Sequence, residues 1–212
     1  MPASGREIVL GVTGSIGAYK AADLVRRLKE QGCEVTCVLT KEAVQFVTPL
    51  TLQAISGRKV YSELFSLDDP AVIHTRLADE ADLLLIAPAT ANILAKLAYG
   101  LADDLLTCIA LATRAPLLVA PAMNVRMYEH PAVQENLNTL RARGGQLVGP
   151  RVGSLVCGYE AMGHVAEVED IANAALALLA QHPSKLPVVG SPAGNPKAVS
   201  TTPRAGSLSR RR

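Results

Sequence analysis

Short apolar runs recur along the chain and alternate with longer stretches in which apolar residues return every three or four positions. EIVLGV (7–12), EVTCVLT (34–40), DLLLIAP (82–88), PLLVAP (116–121) and QLVGP (146–150) predict five strands. Runs that are apolar nearly throughout are what a strand needs when both faces of its sheet are covered. Between the first two, GAYKAADLVRRLKEQG (17–32) carries Ala18, Ala21, Ala22, Leu24, Val25 and Leu28, close to one face of a 3.6-residue period, and Gly32 closes it as a C-terminal cap. Further helices are predicted over 48–57, 90–100, 103–113, 130–145 and 168–182, several with a terminal glycine and one with Pro131 near its start. Strand and helix in alternation with short links predict an α/β fold: one Rossmann-like, flavodoxin-like three-layer domain with a parallel sheet and helices on both faces.

Composition sharpens this picture. Of 212 residues 49% are hydrophobic but only 3% aromatic, and Trp is absent, so the core must be built from Ala, Val, Leu and Ile. No run of about 18 apolar residues occurs, and the N-terminus MPASGREIVLGV lacks a basic-then-apolar signal pattern. A cytoplasmic protein with no membrane partner is the expectation. The net charge of +2 conceals an asymmetry. Residues 183–212 hold four Arg, two Lys and no acid, so the body is acidic and the tail basic. The tail is rich in Pro, Gly and Ser and has no period, which divides the chain into a folded domain over 1–182 and a disordered tail over 183–212. With no aromatics to stack bases, the tail gives no reason to expect a nucleic-acid partner. Cys33, Cys37 and Cys108 read as reduced thiols packed as small hydrophobes. None of the cysteines has metal-ligand spacing, and no metal is expected.

In open α/β sheets, ligands sit outside the carboxyl ends of the strands, so the residues just after each strand are the candidate chemistry. They are Thr13-Gly14-Ser15-Ile16, then Thr40 and Lys41, then Pro88-Ala89-Thr90-Ala91-Asn92, then Pro121-Ala122-Met123-Asn124, and finally Pro150 followed by Gly153, Ser154 and Cys157. Every exit offers a hydroxyl, an amide or a thiol. GVTGSIGAYK departs from the G-x-G-x-x-G spacing, and Thr40 rather than an acid ends the second strand. Both features argue against NAD and for a phosphate-bearing ligand held by helix-start N–H groups with Ser15 and Thr40. Equally, Thr13 and Ser15 are suited to capping a helix. His74 lies on a short apolar pattern with Val72 and Ile73, where a lone histidine is commonly structural.

Taken together, Gly14-Ser15-Ile16, His74, Pro88-Ala89-Thr90-Ala91-Asn92, Gly100-Leu101-Ala102-Asp103-Asp104-Leu105-Leu106, Pro121-Ala122-Met123-Asn124 with Met127, and Leu155-Val156-Cys157-Gly158 resemble, in order, the homo-oligomeric flavin-containing cysteine decarboxylases. The resemblance runs over about residues 6–180. It implies FMN held by Gly14, Ser15, Ile16, Thr40, Thr90, Ala91 and Asn92, with Ala122 near the ring. It implies His74 as catalytic base, Asn124 on the substrate carboxylate, Met127 beside the substrate, and Cys157 as proton donor on a loop that closes over it. Members are trimers, or dodecamers of trimers, with flavin and site at subunit contacts. The implied reaction oxidises the Cβ–SH unit to a thioaldehyde, whose C=S accepts the electron pair left by CO2. Cys157 favours a full cycle to a saturated thiol, as for 4'-phosphopantothenoylcysteine in coenzyme A biosynthesis. The alternative substrate is the C-terminal cysteine of a ribosomally made peptide, left as an aminoenethiol. The segment Ala161-Met162-Gly163-His164-Val165 departs from the Gly-x-Gly-Arg-Met of the coenzyme A branch.

Overall fold

A computed structural model describes residues 5–66, 72–154 and 160–182. Five parallel strands, β1 (Glu7–Val12), β2 (Glu34–Leu39), β3 (Leu83–Ala89), β4 (Leu117–Pro121) and β5 (Gln146–Leu147), form one sheet in the order β2-β1-β3-β4-β5. That is the flavodoxin-like order, in which chain direction across the sheet reverses between β1 and β3. Alternate residues of each strand serve opposite layers. Ile8, Leu10 and Val12 with Leu83 and Leu85 pack in one core, while Val9, Leu84, Ile86 and Val119 pack in the other. This two-sided burial is why the strands read as unbroken apolar runs.

The first core is covered by α1 (Lys20–Glu30), α2 (Pro49–Ser56) and α8 (Val168–Gln181), through Leu24, Val25, Leu28, Leu52, Ile171 and Leu178. Each such side chain contributes roughly 1.5–3 kcal/mol by leaving water. The second is covered by α3 (Ile73–Glu80), α4 (Ala91–Tyr99), α5 (Leu105–Ala112) and α7 (Pro131–Ala142). Helix ends follow the sequence signals. Thr48 and Thr90 cap α2 and α4 with their hydroxyls, and Gly57 and Gly100 end the same helices at φ +71°.

Three features differ from the expectation. The helix foreseen over 17–32 opens as a 3-10 turn, Ile16–Tyr19, before α1. The fifth strand keeps only Gln146 and Leu147, and beyond it β6 (Arg151–Ser154) pairs antiparallel with β7 (Glu160–His164) in a separate ribbon. Two short helices, α3 and α6 (Val125–Tyr128), stand where no helix was expected. The basic tail lies outside the described residues. Among the described residues no helix is long and apolar enough to cross a membrane.

Cys33 and Cys37 are buried as expected, and burial pushes the Cys37 thiol up to about 12. Cys108 is a correction: it is half-buried, and its thiol donates to the Ala102 carbonyl at 3.3 Å. Its position on α5 leaves it at the helix margin rather than in the core.

Candidate functional site

The strand exits meet in one crevice at the carboxyl edge of the sheet. A cavity of about 480 Å³ is lined by Ser15 and Ile16 from the β1 exit, Ala122, Met123 and Asn124 from the β4 exit, and Gly163 and His164 of β7 with Val165 just after it. A second cavity, of about 360 Å³, is lined by Thr13, Thr40, Glu42, Asn92 and Asp104. Gly14, Thr90, Ala91 and Met127 line both, so the two share a wall. The first side is bordered largely by Ile16, Ala91, Ala122, Met123, Met127 and Val165. The second adds the hydroxyls of Thr13 and Thr40, the Asn92 amide and the carboxylates of Glu42 and Asp104, beside Ile93 and Met127.

A row of hydrogen bonds ties the exits together. Thr13 Oγ1 donates to the Pro88 carbonyl at 2.7 Å and accepts the Thr90 N–H at 3.1 Å. The Ala122 N–H donates to the Ala89 carbonyl at 2.9 Å, and the Met123 N–H donates to the Gly163 carbonyl at 3.0 Å. The row runs from β1 to β3 to β4 to β7. Glycine is required at its tight points. A Cβ on Gly163 would press on the Met123 carbonyl oxygen, and one on Gly14 would press on Glu42 Cβ. A Cβ on Gly17 would lie 3.0 Å from Val165 Cγ1, which fixes the segment after β7 against the 3-10 turn.

The polar groups are placed by local rules. Ser15 Oγ accepts the Gly17 N–H at 3.3 Å and caps the 3-10 turn. Thr13, read from the sequence as a second cap, bonds across the crevice instead. Thr40 Oγ1 accepts the Ala43 N–H at 3.3 Å. Thr90 Oγ1 accepts the Ile93 N–H at 3.4 Å, while the N–H groups of Ala91 and Asn92 belong to the first turn of α4, where the helix supplies no acceptor. Asn124 Oδ1 accepts the Arg126 N–H at 2.9 Å and starts α6. That bond engages the oxygen of its amide. Asp104 caps α5 in a reciprocal box with Thr107 and lies 2.9 Å from Lys96 Nζ. Burial works to raise its pKa, but the Thr107 N–H, the Lys96 ammonium and the Thr107 hydroxyl outweigh it, and the carboxyl sits below its ordinary value. Lys20, at the edge of the first cavity, lies 3.2 Å from Glu167.

Of the residues singled out from the sequence, Gly14, Ser15, Ile16, Thr40, Thr90, Ala91, Asn92, Ala122, Asn124 and Met127 all line this crevice. His74 does not: it is half-buried on α3 and borders neither cavity. Two residues before it, the backbone of Val72 is left-handed at φ +68°, an uncommon conformation for a β-branched residue. Cys157 lies outside the described residues. Gly163, His164 and Val165 were noted only as a departure from the family's pattern, and Tyr19 and Lys20 were missed. The β6–β7 ribbon has no apolar period to announce it, and Tyr19 and Lys20 read as ordinary positions of an amphipathic helix.

The donor set suits a flavin nucleotide. Its volume lies within the usual range for ligand sites. It offers an apolar slot for a ring system at one end, and at the other it offers hydroxyls with helix-start N–H groups for a phosphate. Among the described residues no cluster of three or more His, Cys, Asp or Glu side chains could hold a metal ion.

Comparisons with known proteins agree with this geometry. A family model described as Flavoprotein matches residues 2–180. The coenzyme A biosynthesis bifunctional protein CoaBC of Vibrio vulnificus is 51% identical over 168 residues, covering 77% of this chain and 41% of the relative. The protein of the same name from Bacillus subtilis is 47% identical over 167 residues, covering 78% and 41%. The chain thus spans about two-fifths of the length of these curated relatives. Among solved structures, a PPC decarboxylase cysteine-to-serine mutant complexed with pantothenoylaminoethenethiol is 35% identical with a TM-score of 0.74, covering 82% of this chain and 97% of that one. The FMN-dependent cysteine decarboxylase SpaF is 32% identical with a TM-score of 0.75, covering 85% and 98%. The peptidyl-cysteine decarboxylase EpiD, at 24% identity and a TM-score of 0.71, covers 81% and 99% and is alike in fold alone. With the family model running over most of its length and its strand exits gathered into one flavin-sized crevice, the chain belongs to the flavoprotein family.

Proposed function

We propose that the protein is an FMN-dependent cysteine decarboxylase that converts 4'-phosphopantothenoylcysteine to 4'-phosphopantetheine in coenzyme A biosynthesis. The observation that carries the reading is the crevice itself: an apolar slot and a hydroxyl-rich end share one wall, with the Asn124 amide at the rim of the slot. The names of the curated relatives at 47–51% identity support the coenzyme A substrate over a peptide.

FMN, when bound, supplies the two-electron chemistry that gives a cysteine derivative the electron sink it lacks. Gly14, Ser15, Ile16, Thr40, Thr90, Ala91 and Asn92 hold it, with Ala122 leaving room for the ring. Asn124 orients the substrate carboxylate, and Met127 lies beside the substrate. His74 takes the thiol proton. Because it borders neither cavity of its own chain, it reaches the thiol from a neighbouring subunit in a homotrimer, or in a dodecamer built of trimers. Cys157 returns a proton to the substrate carbon when the saturated thiol forms. The reaction belongs in the cytoplasm, and neither a membrane nor a nucleic acid takes part.

The test is incubation of the purified yellow protein with 4'-phosphopantothenoylcysteine and, separately, with a peptide ending in cysteine. Loss of CO2 alone from the small molecule supports the reading. Turnover of the peptide with loss of two further hydrogens, and none of the small molecule, refutes it. Protein that takes up no FMN refutes it at an earlier step.

A further inference from the structure

We infer that Thr13 is a positioning residue that sets the width of the flavin crevice, an inference that rests on the FMN reading above. The register between β1 and β3 runs from Ile8↔Leu83 to Gly11↔Ile86. Beyond it, Val12 continues only toward β2, against Leu39, while β3 passes through an irregularity between Ile86 and Ala89 on its β4 side. The two strands therefore part at the point where the direction of chain progression reverses, and ligands of this fold class bind at that crevice.

The Thr13 side chain spans the opening. It is 1% exposed, and its single hydroxyl proton goes to the Pro88 carbonyl at 2.7 Å while an oxygen lone pair receives the Thr90 N–H at 3.1 Å. Its own carbonyl accepts the Ser15 N–H at 2.8 Å. One residue thus holds both walls: Ser15 at the start of the 3-10 turn and Thr90 at the start of α4. The other links in the row, Ala122 to Ala89 and Met123 to Gly163, join main chain to main chain and survive most substitutions. The β1–β3 link depends on a side chain. Without it, Thr90 and its helix-start N–H groups lose their fixed distance from Gly14 and Ser15, and a ligand that needs both walls must order them on binding.

Valine has nearly the shape of threonine and makes neither bond; serine makes both. Titration of FMN into the apo full-length protein, read by flavin fluorescence quenching, is expected to show Thr13→Val weakened about tenfold, about 1.4 kcal/mol, and Thr13→Ser within about threefold of the parent. In the apo protein, amide hydrogen exchange at Thr90 should quicken in Thr13→Val and return toward the parent rate in Thr13→Ser. Thermal unfolding of each apo variant establishes that it is folded at the titration temperature. If Thr13→Val does not fold, Thr13→Ala removes the same two bonds with less bulk, and the same weakening is expected. Parent-like FMN affinity in the variant lacking the hydroxyl overturns the inference. So does equal weakening in Thr13→Ser and Thr13→Val. A parent that takes up no FMN overturns the flavin reading and this inference with it.

Discussion

Gly163 closes the row of bonds at its far end, and replacing it by alanine separates the fold from the site. The residue stands at φ +149°, where a side chain is strained by about 1–3 kcal/mol. A Cβ there would press on the Met123 carbonyl oxygen and lie 3.4 Å from the Val125 nitrogen. Both are backbone atoms, so no rotamer change relieves the contact. Relief comes by moving β7 away from the β4 exit, which breaks the 3.0 Å bond from the Met123 N–H, worth about 1 kcal/mol. Together these put about 2–4 kcal/mol against the docked ribbon. Among the described residues the two ribbon strands pair with each other and not with a strand of the five-stranded sheet, so undocking is local and global unfolding is little changed. On the FMN placement proposed above, flavin requires the docked ribbon, because Gly163, His164 and Val165 form one side of the first cavity. The expected result is a small shift of the denaturant midpoint in the apo protein and a rise of about 30-fold or more in the FMN dissociation constant. Gly144→Ala is the control. It has a similar backbone demand at φ +89° with nothing within 4 Å of the new Cβ, so it should cost stability without touching flavin. Gly163→Ala binding FMN within about threefold of the parent would refute the reasoning.

Other outcomes follow from the same geometry. Asp104→Ala should cost about 1–2 kcal/mol in urea unfolding, because it removes the α5 cap, while Lys96 keeps Asp103 at 2.7 Å. The Asp104 carboxyl titrates below its ordinary 3.8 when folded. Its stabilisation is therefore present above that value and lost as pH falls through the lower folded value; between about pH 5 and pH 3 the parent should lose more stability than Asp104→Asn, and equal losses would contradict the assignment. Cys37, with its thiol pushed up to about 12 and buried, should resist maleimide in the folded protein and react on unfolding, as monitored by mass spectrometry. His74→Asn should abolish CO2 release while leaving FMN affinity unchanged, since the role proposed for His74 is toward the substrate thiol; weakened FMN binding would place it among the cofactor contacts.

Much of the architecture was legible because the sheet is buried on both faces. Leu83 to Ile86 must be apolar at every position to serve two cores, and such a run marks a strand without ambiguity. Helix boundaries were legible where a cap and a glycine coincide, as at Thr90 and Gly100. Legibility failed where an element has no core-facing stripe. Residues 160–164 of β7 carry no alternation, and the two-turn α3 shows only Ile73 and Leu77 one helical turn apart. The residue types at the strand exits were legible as chemistry because topology alone sends them to one edge. What they bond to there was not. Thr13 and Ser15 are both hydroxyls beside Gly14 in a strand-to-helix turn, and either suits a cap. Only the parting of β1 from β3 assigns one to the turn and the other to the gap.

That parting also explains why the site is where it is. A parallel ladder satisfies its own N–H and C=O groups as long as the strands run together. Where β1 and β3 diverge, the Pro88 carbonyl and the Thr90 N–H are left facing a crevice, and the sequence answers with one buried hydroxyl rather than with an apolar plug. A plug would fill the crevice as well as bridge it. A hydroxyl joins its two walls at the floor and leaves the space above them open, with Ser15 on one side, Ala91 on the other and Ala122 small enough not to intrude. The same divergence that would be a defect in a purely structural sheet thus becomes a slot of defined width. Because that width is held by side-chain and loop contacts rather than by the ladder, it can be altered by single substitutions that leave the sheet intact.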